Sequence, residues 1–281
     1  MLQEPIFIVL LLHLKSVSKM VQICALASGS NGNCYYVGND QDAVLVDVGI
    51  SRRQVLDRIK QVGLLSPKIK AIFITHEHSD HSRGVKLLSH KLNVPVYMSP
   101  GTFNKCYDSN RPLSYSPFTP GDVVTVGSLK VHTFIKLHDA AEPCSFVVEA
   151  NNLKVGVMTD IGEACDNVKH HVAQCDALFL ESNYDEQMLW DGPYPLFLKN
   201  RVSSQVGHLS NKQAVELIAQ NAQENLQLIF LSHLSEENNH PTLALKTFES
   251  LTNRFQVLLT NRYAPTAVKE LKSKLAVEGE L

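Results

Sequence analysis

The chain carries no large excess of charge of either sign. It has 26 basic residues against 28 acidic ones, so only local cations or bound metal could draw a polyanion to it. Cysteine is sparse and scattered. The six residues Cys24, Cys34, Cys106, Cys144, Cys165 and Cys175 never take a Cys-x-x-Cys spacing, and several sit in apolar strand-like runs where a thiol acts as a small hydrophobe. A reducing, cytoplasmic setting is expected. Internal repeats, low-complexity tracts and long linkers are missing as well, which excludes solenoids and strings of small modules. The apolar run at 6–12 falls short of the about 20 residues that cross a bilayer. Glu4 stands where a secretory signal carries basic residues, Lys15 follows the apolar stretch, and no small-x-small cleavage site appears. Residues 1–19 are therefore expected to be a non-native or flexible N-terminal extension, with a membrane-associated helix as the alternative. No stable membrane association is expected.

The chain does have ample core material, with 44% hydrophobic residues in 281 positions. From Met20 onward, short β-branched runs alternate with amphipathic segments, which predicts one continuous α/β domain over 20–281. The expected strands are 21–27, 34–37, 43–48, 71–75, 94–98, 129–135, 145–150, 154–158, 177–181, 226–232 and 255–259. Helices are expected at 51–62, 82–91, 164–173, 210–222 and 241–252, the first capped by Ser51 and the fourth by Ser210. Strands come first in hairpin-like succession, with helices between later ones, as in two mixed sheets packed together under outer helices. The stretch 28–33, Ser-Gly-Ser-Asn-Gly-Asn, reads as a hairpin turn supplying positive φ.

The most informative string is His76-Glu77-His78-Ser79-Asp80-His81, directly behind the apolar run 71–75. Two imidazoles two residues apart can serve one ion, and the carboxylate and imidazole just beyond can serve a second. Imidazole and carboxylate suit borderline divalent cations, and two such ions about 3.5–4 Å apart can generate hydroxide near neutral pH. A two-metal site needs further ligands, and strand ends are where a sheet delivers them from distant sequence. His138, Asp160 and His233 each follow an apolar strand-like run and are the candidates. Asp47, within the expected strand 43–48, reads from capping preference alone as a cap for the segment after Val48.

With these residues the chain resembles the metallo-β-lactamase superfamily over essentially everything after Met20. The resemblance implies an α/β fold, a four-layer αββα sandwich of two mixed sheets flanked by helices. It implies His76, His78 and His138 around one ion, Asp80, His81 and His233 around the other, Asp160 bridging, and Asp47 behind the ligands. The strings 26–33, 138–143 and 207–211 further resemble the bacterial YycJ/WalJ-type proteins, which lie near the tRNA-processing nuclease RNase Z and the phosphodiesterase PhnP. Glu181 and His208 are similar to the glutamate and histidine that RNase Z-like enzymes pair for proton transfer. No long inserted arm for gripping tRNA is present, which argues against tRNA maturation.

The resemblance thus implies a dinuclear-metal-dependent phosphodiesterase or nuclease, a 5′-to-3′ exodeoxyribonuclease, with Asp80, His208 and Glu181 in catalysis. Lys199 and Arg201, shortly before His208, are candidate phosphate-binding residues, a solvated basic face being the alternative. Zinc, manganese or iron all suit the donors. The residues themselves do not separate DNA from RNA or from a small phosphodiester. A hydrolase of thioesters or lactones would use the same metal ligands, and a non-catalytic regulatory protein would be marked by missing ligands.

Overall fold

A computed structural model describes residues 20–272, so the expectation for residues 1–19 lies outside the described residues. Fourteen strands run in chain order: β1 (Val21–Ala27), β2 (Cys34–Gly38), β3 (Ala43–Val46), β4 (Ile69–Phe73), β5 (Val96–Met98), β6 (Ser116–Pro117), β7 (Val123–Val126), β8 (Leu129–Ile135), β9 (Cys144–Ala150), β10 (Leu153–Met158), β11 (Ala177–Glu181), β12 (Leu228–Ser232), β13 (Gln256–Leu259) and β14 (Lys269–Leu271). The helices are α1 (Arg52–Gln61), α2 (Ser79–Ser82), α3 (Val85–Leu92), α4 (Pro100–Lys105), α5 (Asp166–Val172), α6 (Glu186–Asp191), α7 (Leu196–Val202), α8 (Asn211–Asn221) and α9 (Pro241–Thr247).

The strands form two seven-stranded mixed sheets, ordered β14-β1-β2-β3-β4-β5-β6 and β13-β12-β11-β10-β9-β8-β7. Alternation along each strand explains why they stack. In β1, Val21, Ile23 and Ala25 face the other sheet, while Cys24 and Leu26 face outward to α1 and α3. In β11, Ala177 and Phe179 face inward, and Leu178 and Leu180 meet α5, α8 and α9. Both faces of each sheet are therefore apolar, and the result is the four-layer αββα sandwich expected from the sequence. Tyr35, Phe179 and Phe230 pack between the sheets, the first pair tilted and the second stacked, with ring centroids 4.9 and 5.1 Å apart.

In each sheet the pairing changes from antiparallel to parallel. β3 and β4 run parallel in the first, and β10, β11, β12 and β13 run parallel in the second. Ligands in open sheets gather where parallel strands end, and every candidate ligand but one follows such an end.

Several boundaries differ from the sequence expectation. β3 stops at Val46 and not Val48, because Asp47 takes a left-handed backbone (φ 62°) that turns the chain. β4 is Ile69–Phe73 and not 71–75, which leaves Thr75 free to support the string. The helix expected at 82–91 is α3, which starts only at Val85; Ser82 closes the separate short α2, and at Gly84 between them a Cβ would stand 2.1 Å from the Ile50 carbonyl oxygen. The segment 241–252 is α9 followed by a 3-10 turn at Glu249–Leu251. Capping boxes at Ser51 with Gln54 and Ser210 with Gln213 open α1 and α8 as expected. No helix among the described residues is long and apolar enough to cross a membrane.

Candidate metal centre

Two groups of three side chains face each other at the strand ends. His76, His78 and His138 bring one ligand atom each within 4.8 Å of one another, and Asp80, His81 and His233 do the same. Asp160 falls between them, grouped with His76 and His81. His81 Nε2 is 3.2 Å from Asp160 Oδ2 and 3.4 Å from Asp80 Oδ2. His233 Nε2 lies 3.7 Å from Asp80 Oδ2. All seven residues singled out as ligands in the sequence thus converge.

Two buried carboxylates aim the imidazoles. Asp47 accepts from His81 Nδ1 at 2.7 Å and from the Thr75 backbone N–H at 2.8 Å. The Thr75 hydroxyl donates to Asp47 and accepts from His76 Nδ1 at 2.9 Å. Because a carboxylate only accepts, the protons of both rings sit on Nδ1, and both Nε2 lone pairs point into the site. Glu181 plays the equivalent part in the second sheet. Its Oε1 lies 2.9 Å from His233 Nδ1 and 2.9 Å from His208 Nδ1, and accepts from the Asp160 N–H at 3.1 Å. Its Oε2 accepts from the N–H groups of Ile161 (2.7 Å) and Leu209 (3.1 Å). The His138 ring is fixed by Nδ1–H donation to the Gly207 carbonyl, 3.1 Å away.

The donor set fits divalent cations. His138 Nε2, His233 Nε2 and Asp160 Oδ2 are buried with no hydrogen-bond partner, a costly arrangement in the absence of a cation. Asp47, Asp160 and Glu181 are all buried within this cluster, a concentration of negative charge that calls for positive charge beside it. The ring ionisations respond to the same field. Burial alone would lower His233, yet the carboxylates of Asp160, Asp80 and Glu181 outweigh it and push the ring up to about 10. Burial dominates at His138, which falls to about 3. Glu181 is held at about 2, because His208 and His233 overcome the upward push of burial, so it stays ionised and positions its partners.

Backbone geometry records the cost of assembling the site. Asp47, Asp160 and His233 all have φ between 56° and 62°, the left-handed region that non-glycine residues seldom enter. Such residues cost on the order of 1–3 kcal/mol each and persist where their surroundings over-determine them. Ser28 Oγ accepts from the His233 N–H at 2.7 Å, and Glu181 holds Asp160. The Asp80 carbonyl accepts from the Asn33 N–H at 2.7 Å, which ties the hairpin turn 28–33 to the ligand string. That turn does use positive φ, at Gly29 (140°) and Gly32 (151°).

The remaining candidates separate. His208 lines the cavity over the ligands, with its ring fixed by Glu181. Arg201 also lines the cavity, its Nε donating to Asp139 Oδ2 at 2.5 Å. Lys199 does not line it, and donates to the Trp190 carbonyl 2.6 Å away. Residues two apart on a helix face different directions, so α7 presents Arg201 to the site and turns Lys199 aside. Three residues were not singled out in the sequence. Asn33 and Thr75 support the string, and Lys136, buried with its ammonium donating to the Thr159 carbonyl at 2.6 Å, sits beneath the turn that carries Asp160. Thr75 and Asn33 adjoin conspicuous motifs, whereas nothing in the sequence marks Lys136 as buried.

The fold and this ligand arrangement are those of a metallohydrolase, and the chain belongs to the beta-lactamase superfamily, whose domain matches residues 42–231. More specifically, it is 39% identical to the exodeoxyribonuclease YycJ of Bacillus anthracis over 222 residues, 78% of this chain and 84% of that protein. It is 33% identical to the exodeoxyribonuclease WalJ of Streptococcus pneumoniae serotype 2 over 227 residues, 79% and 84% of the two chains. Among solved structures, the metallo-beta-lactamase fold protein YhfI of Bacillus subtilis superposes with a TM-score of 0.68 at 17% identity, covering 90% of this chain and all of that one.

Proposed function

We propose that this protein hydrolyses phosphodiester bonds with two divalent metal ions, acting as a 5′-to-3′ exodeoxyribonuclease in the cytoplasm. The observation that carries the proposal is the His208–Glu181 pair, 2.9 Å apart, opening onto the same cavity as the ligands. Thioester hydrolysis, whose thiolate departs unprotonated, has no need of such a proton donor. The relatives' naming as exodeoxyribonucleases supports DNA as the polymer. The cysteines, all free, accord with a reducing compartment.

His76, His78 and His138 would hold one ion, and Asp80, His81 and His233 the other, with Asp160 between them; zinc, manganese and iron all suit these donors. Bound there, the ions supply Lewis-acid stabilisation of the phosphoryl oxygens and an activated water. His208 acts as an imidazolium: its Nδ1–H is directed at Glu181, its Nε2–H faces the cavity and passes to the departing oxygen, and the ring is left neutral with its proton on Nδ1. Glu181 remains ionised and keeps that ring in one tautomer. Arg201, at the cavity wall, adds positive charge beside a phosphate.

The test compares hydrolysis of bis(p-nitrophenyl) phosphate, a simple thioester, and single- and double-stranded DNA and RNA at fixed salt. The phosphodiesters, and DNA above RNA, are expected to be cleaved; turnover of the thioester alone would overturn the proposal. Replacing His208 by Ala should lower kcat by about 10²–10⁴-fold while metal content is retained. Equal loss of metal and activity would make His208 a structural residue.

A further inference from the structure

The cavity directly over the metal ligands is about 240 Å³. That is below the roughly 300–1,000 Å³ typical of pockets that enclose a whole small ligand. It admits little beyond the reacting phosphate. A second groove of about 470 Å³ adjoins it and shares His78, Asp80 and Arg201 with it. This branch leads from the ligand string past Ser79 to Lys105, the last residue of α4, and Tyr107.

The chemistry of this branch is uneven along its length. Arg201 stands where the two cavities meet, and Lys105 lies farther out with no ion pair or hydrogen bond recorded to any described residue. Tyr107 is 67% exposed, so its ring face is open to a stacking partner in the groove. Glu77 lines the groove too, with Oε1 held by the Ala141 N–H at 2.9 Å and Oε2 buried out of reach of a ligand. Beside the candidate metal ligands the groove therefore offers a cation, Lys105, and an aromatic face, Tyr107.

We propose that this groove is the path of a single-stranded DNA segment, with Lys105 holding a phosphate next to the scissile one and Tyr107 stacking under a base. The inference rests on the phosphodiesterase reading above and specifies how its substrate is gripped. Stacking on aromatic side chains accepts any base, and isolated cations follow the backbone, so the groove favours unpaired strands without sequence preference.

The experiment measures steady-state kinetics and salt-dependent KM on a single-stranded oligodeoxynucleotide with the metal-loaded protein, Tyr107→Ala, Tyr107→Phe and Lys105→Ala. Tyr107→Ala should raise KM about tenfold with kcat held within about twofold, in keeping with roughly 1–3 kcal/mol per stacked base. Tyr107→Phe, which keeps the ring, should restore KM. Lys105→Ala should make the dependence of log KM on log salt shallower by about 0.7, the share of one phosphate contact on a single strand. If the wild type cleaves the oligonucleotide and all three variants match it, the groove assignment is overturned and the phosphodiesterase reading stands. If the wild type cleaves bis(p-nitrophenyl) phosphate or duplex DNA but no single-stranded oligonucleotide, the groove assignment alone is overturned; if it cleaves none of these phosphodiesters, both fall.

Discussion

Asp47 and Glu181 never face the cavity, yet between them they orient four of the rings around it. Asp47 reaches His81 directly and His76 through the Thr75 hydroxyl, so one carboxylate orients a ring in each proposed metal position. Loss of such a partner typically costs 10–100-fold in metal affinity. Asp47→Asn, which keeps the volume but puts an amide against the His81 N–H, should weaken metal binding by about that factor in a chelator competition. Unaltered affinity would reduce Asp47 to a turn residue. The convergence of the candidate ligands was legible in the sequence because each is a polar donor just behind an apolar run, as at His138, Asp160 and His233. Their backbone state was not. Asp and His enter the left-handed region only when tertiary contacts hold them there, and the contacts of Ser28 with His233 and of Glu181 with Asp160 span 205 and 21 residues. Lys136 was hidden for a related reason, since a lone lysine is ordinarily a surface residue.

At the scale of elements, the ligand string is held by close backbone approach as much as by side chains. The segment after β3 lies directly against α2, with Val48 N–H donating to the His81 carbonyl and Gly49 N–H to the Asn33 carbonyl, each at 2.8 Å. A Cβ on Gly49 would stand 1.6 Å from the Asp80 carbonyl oxygen and 2.6 Å from the Asn33 nitrogen, and neither backbone atom can retreat cheaply. Gly49→Ala should therefore displace Asp80 and His81 and reduce bound metal to about one ion or fewer per chain, read by elemental analysis of soluble protein. Full metal content would show that the approach is looser than described. On the opposite side of the sandwich, His171 of α5 stacks on Phe134 with centroids 4.0 Å apart. Burial, then the nearby His170, His132 and Lys154, push it from 6.5 down to about 4. Between those values the unfolded chain binds the extra proton, so His171's contribution is complete above pH 6.5 and drains away as pH falls toward 4. His171→Phe should flatten this loss, seen as a smaller shift in urea midpoint between pH 7.5 and 4.5; an unchanged shift would contradict it. Short elements were the ones the sequence concealed. β7 is a half-exposed edge with Val123 51% exposed, β6 has two residues and β14 three, and α6 and α7 flank a Gly-Pro-Tyr-Pro stretch that reads as loop.

For the whole molecule, the two sheets repeat one plan, three antiparallel pairings followed by three parallel ones. Stacked face to face, they bring the ends of β3 and β4 beside those of β10, β11 and β12, so neither sheet alone carries a complete ligand set. Long alternating apolar strands made that architecture legible from sequence, because inward and outward faces can be counted residue by residue. We propose that seven side chains from both sheets surround a pair of cations, and elemental analysis of the purified protein beside His138→Ala and His233→Ala, which remove one candidate ligand from each position, checks this most directly. About two divalent ions per chain are expected in the wild type and about one in each variant. Less than one ion in the wild type, or two retained in both variants, would contradict it.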